Sequence, residues 1–340
     1  MKEFAGGESS KRSLLKIGLI GAGYLGSRHL KHLLALEGVQ VSGIWDTDPA
    51  VREQHKQGVG VPVAAGLEDL LACSDAVDLV TPTSSHCEIG LQAVAARKPL
   101  FVEKPLCATR GEGARLLEAA ARAGVPIQVG HIERFNRAFR SLAGTAVRPR
   151  FIEAHRLAPW NPRGVDVAVV YDLMIHDLDL VLALAGEEPE ALHASGVGVV
   201  TDSVDIATAR LEFPSGLVAN LTASRISLKR MRKLRLFGER EYIALDLDKG
   251  TCEYVGGSLP GQALPPGAEL LGKIGDGGRA VTLHRRYLEA PEGDALRLEL
   301  ASFRDAVAGG TTPPVTGADG LKALALAERI VEAIGGRESG

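Results

Sequence analysis

The sequence predicts two domains of different class, an α/β domain with a parallel sheet followed by an α+β domain with a mostly antiparallel sheet. In the first third of the chain, short apolar runs alternate with amphipathic stretches, a rhythm typical of parallel strands connected by helices. After Gly130, longer apolar runs are separated by turn residues, as in the hairpin sequence Phe213 to Leu217. The 340 residues suffice for two separate cores. We place the domains at residues 13–126 and 127–338.

The elements predicted for the first domain alternate regularly along the chain. Apolar runs predict strands at residues 16–20, 39–45, 61–65, 77–80, 100–102 and 125–129. Amphipathic stretches predict helices at residues 24–36, 49–57, 67–72, 85–96 and 109–123. Two of these helices begin with a capping-box sequence, at Ser85 to Glu88 and at Thr109 to Glu112.

The second domain begins with one strong helix, predicted at residues 167–185. Runs of β character follow and predict strands at residues 192–200, 204–213, 217–227, 230–237 and 242–247. Residues 256–278 are rich in glycine and proline, which predicts a loop. Two helices, at residues 294–308 and 318–334, complete the chain.

The composition excludes several classes of function. A net charge of −3 argues against a protein that binds nucleic acid mainly by charge. No apolar run approaches the length needed to cross a bilayer, and residues 1–12 lack the apolar stretch of a signal peptide. The four cysteines form no C-x-x-C pair and no zinc-like spacing. We therefore expect a cytoplasmic protein that binds neither nucleic acid, membrane nor metal.

A glycine-rich turn follows the first predicted strand and opens the first helix. Gly21 permits a tight turn, Gly23 lets the backbone approach a pyrophosphate, and Gly26 allows close packing of helix on strand. Tyr24 and Leu25 complete the turn, and the helix N-terminus would face the phosphate charge. In this strand–turn–helix context the motif predicts a dinucleotide site, the alternative being a plain βα turn.

An acidic residue at the end of the second strand refines this prediction. Asp46 follows Gly26 by about 20 residues, where a carboxylate accepts hydrogen bonds from the adenosine ribose hydroxyls. Its charge would repel a 2′-phosphate, so the sequence favours NAD over NADP. Asp46 could instead be only a turn residue before Thr47-Asp48-Pro49.

Two further turns end buried strands on the same edge of the predicted sheet. Thr81-Pro82-Thr83 is expected to lie along the cofactor, because ligands bind at the carboxyl ends of parallel strands. His86 either joins this loop or lies on the surface of the following helix. Glu103-Lys104-Pro105 ends the next strand, and Glu103 and Lys104 are expected to bind the cofactor. Lys104 is thereby placed near the nicotinamide, where an ammonium can stabilise a developing alkoxide. Pro105 could fix this turn through a cis bond, and a surface lysine before a proline is the alternative.

A histidine and two acids lie on one face of the helix predicted at residues 167–185. Asp172 and His176 are separated by four positions, and Asp179 continues the same face. A carboxylate one turn from an imidazole can orient it, so His176 is a candidate general base. The alternatives are a solvated pair on the helix surface and a metal site, which lacks further ligands at suitable spacing.

Taken in this order, the glycine turn, Thr81-Pro82-Thr83, Glu103-Lys104-Pro105 and Asp172-x-x-x-His176 resemble the Gfo/Idh/MocA oxidoreductase family. The resemblance implies a Rossmann domain followed by a larger domain with an open-faced sheet. It also implies that Lys104 polarises a sugar or polyol hydroxyl, His176 takes its proton, Asp172 orients the site and NAD accepts hydride. Homodimers or homotetramers formed through the second sheet are implied in the same way.

Two segments are similar to nucleotide-sugar dehydrogenases within that family. They are Gly130 to Asn136 and Asp172 to Asp177, and they resemble enzymes that oxidise UDP-N-acetylglucosamine at C3. This resemblance implies a role in making 3-amino sugars for lipid A or O-antigen, a part of lipopolysaccharide biosynthesis. Arg137 departs from the pattern, because many relatives have proline there.

Arginines near the predicted catalytic helix suit the pyrophosphate of such a substrate, since a guanidinium binds phosphate through paired hydrogen bonds. Surface charges are the alternative for these arginines, and core packing is the alternative for the aromatic residues beside them. The expected substrate-binding residues are Arg134, Asn136, Arg156, Trp160, Arg163 and His176.

Two other functions stay open from the sequence. A dehydrogenase of a free sugar or inositol would share the cofactor site and the Lys104 and His176 pair. A regulatory protein that binds dinucleotide without turnover would more naturally lack those two residues.

Overall fold

The computed structural model describes residues 14–58, 60–161, 167–277 and 280–335. In the described chain, the first sheet contains five parallel strands in the order β2-β1-β3-β4-β5. Its strands are β1 (Leu15–Ile20), β2 (Val39–Trp45), β3 (Ala76–Leu79), β4 (Leu100–Glu103) and β5 (Ile127–Gly130). Its helices are α1 (Tyr24–Leu34), α2 (Pro49–Gly58), α3 (Leu67–Cys73), α4 (His86–Ala95) and α5 (Arg110–Ala123).

The strand order of the first sheet positions the site. The chain runs from β1 to β2 on one side and then returns to β3 on the other, so a topological switch point lies at β1. Ligands bind in the crevice that such a reversal leaves at the carboxyl ends of the strands. β3, β4 and β5 are buried along their whole length, which explains their apolar sequences. The predicted Rossmann architecture is confirmed.

The second sheet, in the residues described, has nine strands in the order β13-β14-β12-β11-β10-β6-β9-β8-β7. All neighbouring strands are antiparallel except β6 and β9, so the predicted mostly antiparallel sheet is confirmed. Its strands are β6 (Phe151–Leu157), β7 (Ala191–Val197), β8 (Ile206–Glu212), β9 (Val218–Ser224), β10 (Met231–Gly238), β11 (Glu241–Asp246), β12 (Thr251–Ser258), β13 (Glu269–Ile274) and β14 (Val281–Leu288).

Helices cover one face of this second sheet. The short helix α6 (Arg137–Arg140) precedes it, and α7 (Ile175–Ala185) packs Leu178 and Val181 into a core shared with Leu221 and Leu234 of the sheet. Residues along the strands therefore alternate between buried positions and half-buried or exposed ones, as in β6 and β8. The described helices contain none that is long and apolar enough to span a membrane.

The last two helices connect the two sheets. Helix α8 (Ala295–Gly309) returns to the first domain, where Phe303 stacks edge-on against Phe101 of β4. Helix α9 (Gly317–Gly335) contributes Leu324 to the first core and Ile330 to the second. The domain bounds 13–126 and 127–338 stay a prediction. Helix α8 does not fit this division, because it follows residue 127 but packs against the first domain.

Several predicted elements are wrong in detail. The strand predicted at residues 61–65 is a single bridge from Val63 to Ile44. The loop predicted at 256–278 contains β13, an edge strand in which every residue except the half-buried Gly272 is exposed, so no apolar alternation marks it. The sequence prediction also missed β6, β12 and β14. In β6 the inward positions are Ile152, Ala154 and a buried Arg156, whose charge hides the apolar alternation.

The two predicted capping boxes also differ from the structure. Thr109 accepts a hydrogen bond from the Glu112 N–H, as predicted, but the Glu112 carboxylate accepts from the N–H of Ala108. Ser85 caps nothing, because a short 3-10 turn (Thr83–Ser85) precedes α4 and the Ser85 hydroxyl donates to Thr81 instead.

Candidate active site

The glycine turn after β1 is tight for reasons visible in its contacts. Gly21 has a φ of +91°, and a Cβ there would lie 2.7 Å from the Val80 backbone. A Cβ on Gly26 would collide with the Gly21 carbonyl oxygen. Gly23 is different, because a Cβ on it would meet no atom within 4 Å. Gly23 therefore keeps an open surface at the point where a phosphate would approach.

The N-terminus of α1 suits an anion. Gly23 is its N-cap and supplies no capping side chain, and the first turn contains no acidic residue. Backbone N–H groups at such an end attract phosphate. Tyr24 and Leu25 flank this end and are largely exposed. The open space at Gly23 and the uncapped N–H groups of α1 thus fit a pyrophosphate.

Asp46 lies at the end of β2 beside the turn. One carboxylate oxygen accepts from the Ala22 N–H at 2.8 Å and the other from the Asp48 N–H at 2.9 Å. Each oxygen keeps a second lone pair, so the carboxylate can still accept from a ribose hydroxyl. His55, which sequence reasoning missed, contacts the Ala22 carbonyl through Nε2 at 2.9 Å. The position of Asp46 fits NAD.

His86 connects two of the predicted cofactor loops. It is buried, and its ring nitrogens lie 2.9 Å from the carbonyl oxygens of Thr81 and Pro105. A surface position for His86 is therefore wrong. Because both nitrogens contact backbone carbonyls, His86 supports the Thr81-Pro82-Thr83 turn from behind, and direct cofactor contact by this residue is not favoured.

Glu103 is also engaged by the protein. Its carboxylate accepts from the Lys104 N–H at 3.1 Å and lies 3.2 Å from His29, which in turn contacts Asp78 at 3.0 Å. Burial disfavours the charged form of His29, but Asp78 and Glu103 outweigh this effect and raise the pKa of His29 to about 10. This ion network lies below the Lys104 turn and holds it, while cofactor binding by Glu103 stays a prediction.

Lys104 reaches from β4 to the second domain. Its peptide bond to Pro105 is cis. The ammonium Nζ donates to the Asp172 carbonyl oxygen at 2.8 Å and lies 3.7 Å from the Asp172 carboxylate. Burial lowers the pKa of Lys104, against the raising effect of Asp172. Lys104 is thus a largely buried cation with an acidic partner at the junction of the two domains.

Asp172 does not partner His176 in the way that the helical spacing predicts. A π-helical turn (Val170–Met174) precedes α7, so the 3.6-residue repeat does not hold across this segment. No hydrogen bond joins the Asp172 carboxylate to the His176 ring in the described residues. The carboxylate faces Lys104 instead.

His176 is a neutral base in this environment. Its Nδ1 is buried and has no hydrogen-bond partner in the described part of the chain. Burial, and then the nearby cations Lys104 and Arg156, lower the pKa of His176 well below 6.5. The inaccessible Nδ1 leaves Nε2 as the nitrogen able to receive a proton from a ligand.

Two of the arginines predicted to bind substrate are held by internal carboxylates. Arg134 pairs with Asp179 through two hydrogen bonds of 2.6 and 2.8 Å. Arg156 is 1% exposed and pairs with Asp177 and with Glu133, each at 2.7 Å. These pairs satisfy the guanidinium groups inside the protein, so a primary role in phosphate binding is not favoured for either.

The remaining predicted substrate residues lie in different places. Asn136 caps α6, and its side-chain amide donates to Glu133 and to the Leu247 carbonyl. These contacts give the Asn136 amide a structural role. Trp160 is 44% exposed and lines a cleft. Arg163 lies outside the described residues.

This cleft opens beside the Lys104 contact. It has a volume of about 450 Å³, within the usual size of ligand sites. Sequence reasoning missed three of its arginines, Arg225, Arg230 and Arg232. The spacing of Arg230 and Arg232, two residues apart in a predicted strand, could have indicated a shared face. The charged and aromatic residues that line it are Arg156, Trp160, Asp172, Arg225, Arg230 and Arg232.

A group of possible metal ligands lies elsewhere. Cys87, Cys107 and Glu112 bring ligand atoms within 4.8 Å of one another from separate segments, a proximity that their spacing did not indicate. Arg115 donates to the Cys87 sulfur at 3.1 Å, and burial raises the pKa of Cys107. A guanidinium on one sulfur and a protonated second thiol do not favour a cation, because metals bind the thiolate.

Comparison with known families and proteins agrees with this geometry. Residues 15–131 match the model of an oxidoreductase family with an NAD-binding Rossmann fold, and residues 142–244 match the GFO/IDH/MocA C-terminal domain. A UDP-N-acetylglucosamine 3-dehydrogenase from Acidithiobacillus ferrooxidans is 34% identical, covering 94% of this chain and 97% of its own. A myo-inositol 2-dehydrogenase from Thermotoga maritima is 27% identical, covering 92% and 94%.

Solved structures show the same similarity. The structure of UDP-N-acetylglucosamine 3-dehydrogenase GnnA from Acidithiobacillus ferrooxidans superposes with a TM-score of 0.83 at 32% identity, covering 94% of this chain and 97% of that one. An Agrobacterium radiobacter oxidoreductase in complex with NAD+, L-tartaric acid and magnesium has a TM-score of 0.79 at 18% identity, covering 95% and 96%, and shares the fold.

Proposed function

The chain belongs to the GFO/IDH/MocA oxidoreductase family as an NAD-dependent sugar dehydrogenase, and from this premise we propose that it oxidises a ring hydroxyl of a nucleotide-linked sugar. The specific reaction proposed is oxidation of C3 of UDP-N-acetylglucosamine to a ketone. Its support is the activity of a relative, a UDP-N-acetylglucosamine 3-dehydrogenase, that matches 94% of the chain.

One observation carries the chemical part of this proposal. The Lys104 ammonium, held by Asp172, lies at the carboxyl end of β4. Burial and nearby cations, Lys104 first among them, lower the pKa of His176, so its imidazole is neutral at neutral pH. A cation beside a neutral base is the combination that deprotonation of a hydroxyl requires.

The proposed steps follow from these residues. Lys104 donates a hydrogen bond to the reacting oxygen and stabilises negative charge that develops there. His176 receives the hydroxyl proton at Nε2. Asp172 orients Lys104 rather than His176, which revises the role suggested by sequence. NAD supplies the hydride acceptor when it is bound, in the pocket formed by the glycine turn and Asp46.

A wider biological setting belongs to the same proposal. A 3-keto sugar is the precursor that amination requires, so the product would serve 3-amino-sugar synthesis for lipid A or O-antigen. The four cysteines are free thiols, which fits a reducing compartment such as the cytoplasm. We propose association of two or four copies through the open face of the second sheet.

The rival substrate is a free polyol, because a myo-inositol 2-dehydrogenase is also similar over most of the chain. The purified protein should be supplied with NAD and, separately, UDP-N-acetylglucosamine, N-acetylglucosamine and myo-inositol, while NADH formation is followed. The proposal expects turnover with the UDP-sugar and label transfer to NADH from a C3-deuterated substrate. Turnover of inositol with no preference for the nucleotide would contradict it.

A further inference from the structure

Arg232 of β10 projects toward the cleft. Along this strand Leu234 and Leu236 are buried beneath the helices, and strand alternation puts Arg232 on that same face. Arg235 lies on the opposite face. The side chain of Arg232 is 36% exposed, so it borders both the protein and the cleft.

The ion pairs of Arg232 are weaker than those of its neighbours. Its guanidinium lies 3.5 Å from Glu133 and 3.7 Å from Asp248. Both distances exceed the 2.7–2.9 Å that is typical of a charge-assisted hydrogen bond. Each of these carboxylates lies closer to another arginine, Glu133 to Arg156 at 2.7 Å and Asp248 to Arg230 at 2.8 Å.

Surrounding charge makes this position attractive to an anion. Burial, and then repulsion by Arg156 and Arg230, lower the pKa of Arg232, although Glu133 and Asp248 oppose the shift. An anionic ligand would relieve the repulsion and would supply the close partner that the guanidinium lacks. A phosphate group can do so through two parallel hydrogen bonds.

The cleft extends from this arginine to Asp172, the residue that contacts Lys104. Arg232 is also among the cations that lower the pKa of His176. A sugar held at Lys104 and His176 would therefore direct a phosphate on its anomeric carbon along the cleft.

We propose that Arg232 is a specificity-determining residue that binds the diphosphate of a nucleotide-sugar substrate, with Arg230 assisting from the rim. This inference rests on the proposed function and assigns the phosphate contacts to residues other than Arg134 and Arg156. On binding, the guanidinium exchanges its distant contacts with Glu133 and Asp248 for phosphate oxygens.

The test compares Arg232→Ala with Arg235→Ala. Both arginines lie on β10, both side chains are 36% exposed and both are ion-paired, but Arg235 pairs with Glu153 on the opposite face. The readouts are the Kd of UDP by calorimetry and the KM and kcat for UDP-N-acetylglucosamine. Arg232→Ala should raise Kd and KM about 10- to 100-fold, with kcat changed by less than about threefold. Arg235→Ala should change none of them.

The outcomes separate this inference from the proposed function. If Arg232→Ala binds UDP as tightly as the wild type, or lowers kcat with KM unchanged, the inference is overturned. If the wild type binds UDP through Arg232 but does not oxidise UDP-N-acetylglucosamine, the diphosphate site stands and the proposed substrate fails. A wild type that does neither overturns both. Should Arg232→Ala fail to fold by thermal unfolding, Arg232→Gln and Arg232→Lys replace it, with Lys expected to bind more tightly than Gln.

Discussion

Lys104 and Asp172, 68 positions apart in sequence, join the two domains through a 2.8 Å hydrogen bond from the lysine Nζ to the aspartate carbonyl oxygen. The Asp172 carboxylate lies 3.7 Å from the same ammonium. The backbone contact fixes the position of the lysine, and the carboxylate supports its charge. Asp172 is therefore a positioning residue for Lys104, and this arrangement distinguishes the structure from the helical pair that the sequence suggests.

Replacing Asp172 by Asn tests this role. The variant keeps the backbone acceptor but removes the negative charge, so the pKa of Lys104 should fall and the alkaline limb of the pH profile should move to lower pH. We expect kcat/KM to fall about tenfold, the equivalent of about 1.4 kcal/mol. A shift of the acid limb instead would show that Asp172 acts on His176, as the sequence alone suggests.

The pH profile of the wild type follows from the two lowered pKa values. In the proposed mechanism, oxidation requires neutral His176. Because burial and nearby cations hold its pKa well below 6.5, activity should be lost only as the pH falls through that lower value. It also requires protonated Lys104, whose pKa lies below 10.5, so activity should fall again before that pH is reached.

Burial lowers the pKa of both His176 and Lys104; the charged groups that face His176 lower its pKa further, while the acids that face Lys104 oppose the shift. His176 faces Lys104, Arg156, His131 and Arg232, and Lys104 faces Asp172, Glu103 and Arg156. The measurement is kcat/KM for the sugar against pH at saturating NAD. An acid limb centred at or above pH 6.5 would be inconsistent with a neutral, cation-flanked His176.

The glycine turn offers a matched pair of substitutions. Gly26→Ala should destabilise the protein by about 1–3 kcal/mol, because its Cβ collides with the Gly21 carbonyl. Gly23→Ala should leave the free energy of unfolding within about 0.5 kcal/mol, since its Cβ meets no atom within 4 Å. The same methyl group would nevertheless obstruct the pyrophosphate and weaken NAD binding.

Denaturant unfolding and NAD binding by fluorescence measure the two effects separately. If Gly23→Ala binds NAD with unchanged affinity, the phosphate does not approach this glycine. If Gly26→Ala is as stable as the wild type, the close contact between α1 and the turn is relieved at no cost and the explanation of Gly26 fails.

The features predicted correctly from sequence depend on local pattern. Alternating apolar runs indicate the parallel sheet because β3, β4 and β5 are buried on both faces. The glycine turn is recognisable because a Cβ on Gly21 or on Gly26 would clash with nearby backbone atoms. Lys104 follows from its place at a strand end, where chain order and sheet topology coincide.

The features that sequence missed depend on partners distant along the chain. Arg134 meets Asp179 and Arg156 meets Asp177 only after β6, α7 and the preceding loop have come together, so a pattern cannot tell a buried ion pair from a ligand contact. The π-helical turn does not follow the 3.6-residue repeat, so the orientation of Asp172 could not be predicted from helical spacing. Arg232 becomes notable only when its weak contacts are compared with those of its neighbours.

If Lys104 acts in hydride transfer from a nucleotide sugar, its loss should be visible in the rate at which Lys104→Met forms NADH from UDP-N-acetylglucosamine. Lys98→Met is the matched control, because Lys98 precedes the other end of β4 and also donates to a backbone carbonyl, that of Ser74 at 2.7 Å. We expect Lys104→Met to lose about three or more orders of magnitude in kcat and Lys98→Met to keep near wild-type turnover. Equal, wild-type rates in the two folded variants would contradict it.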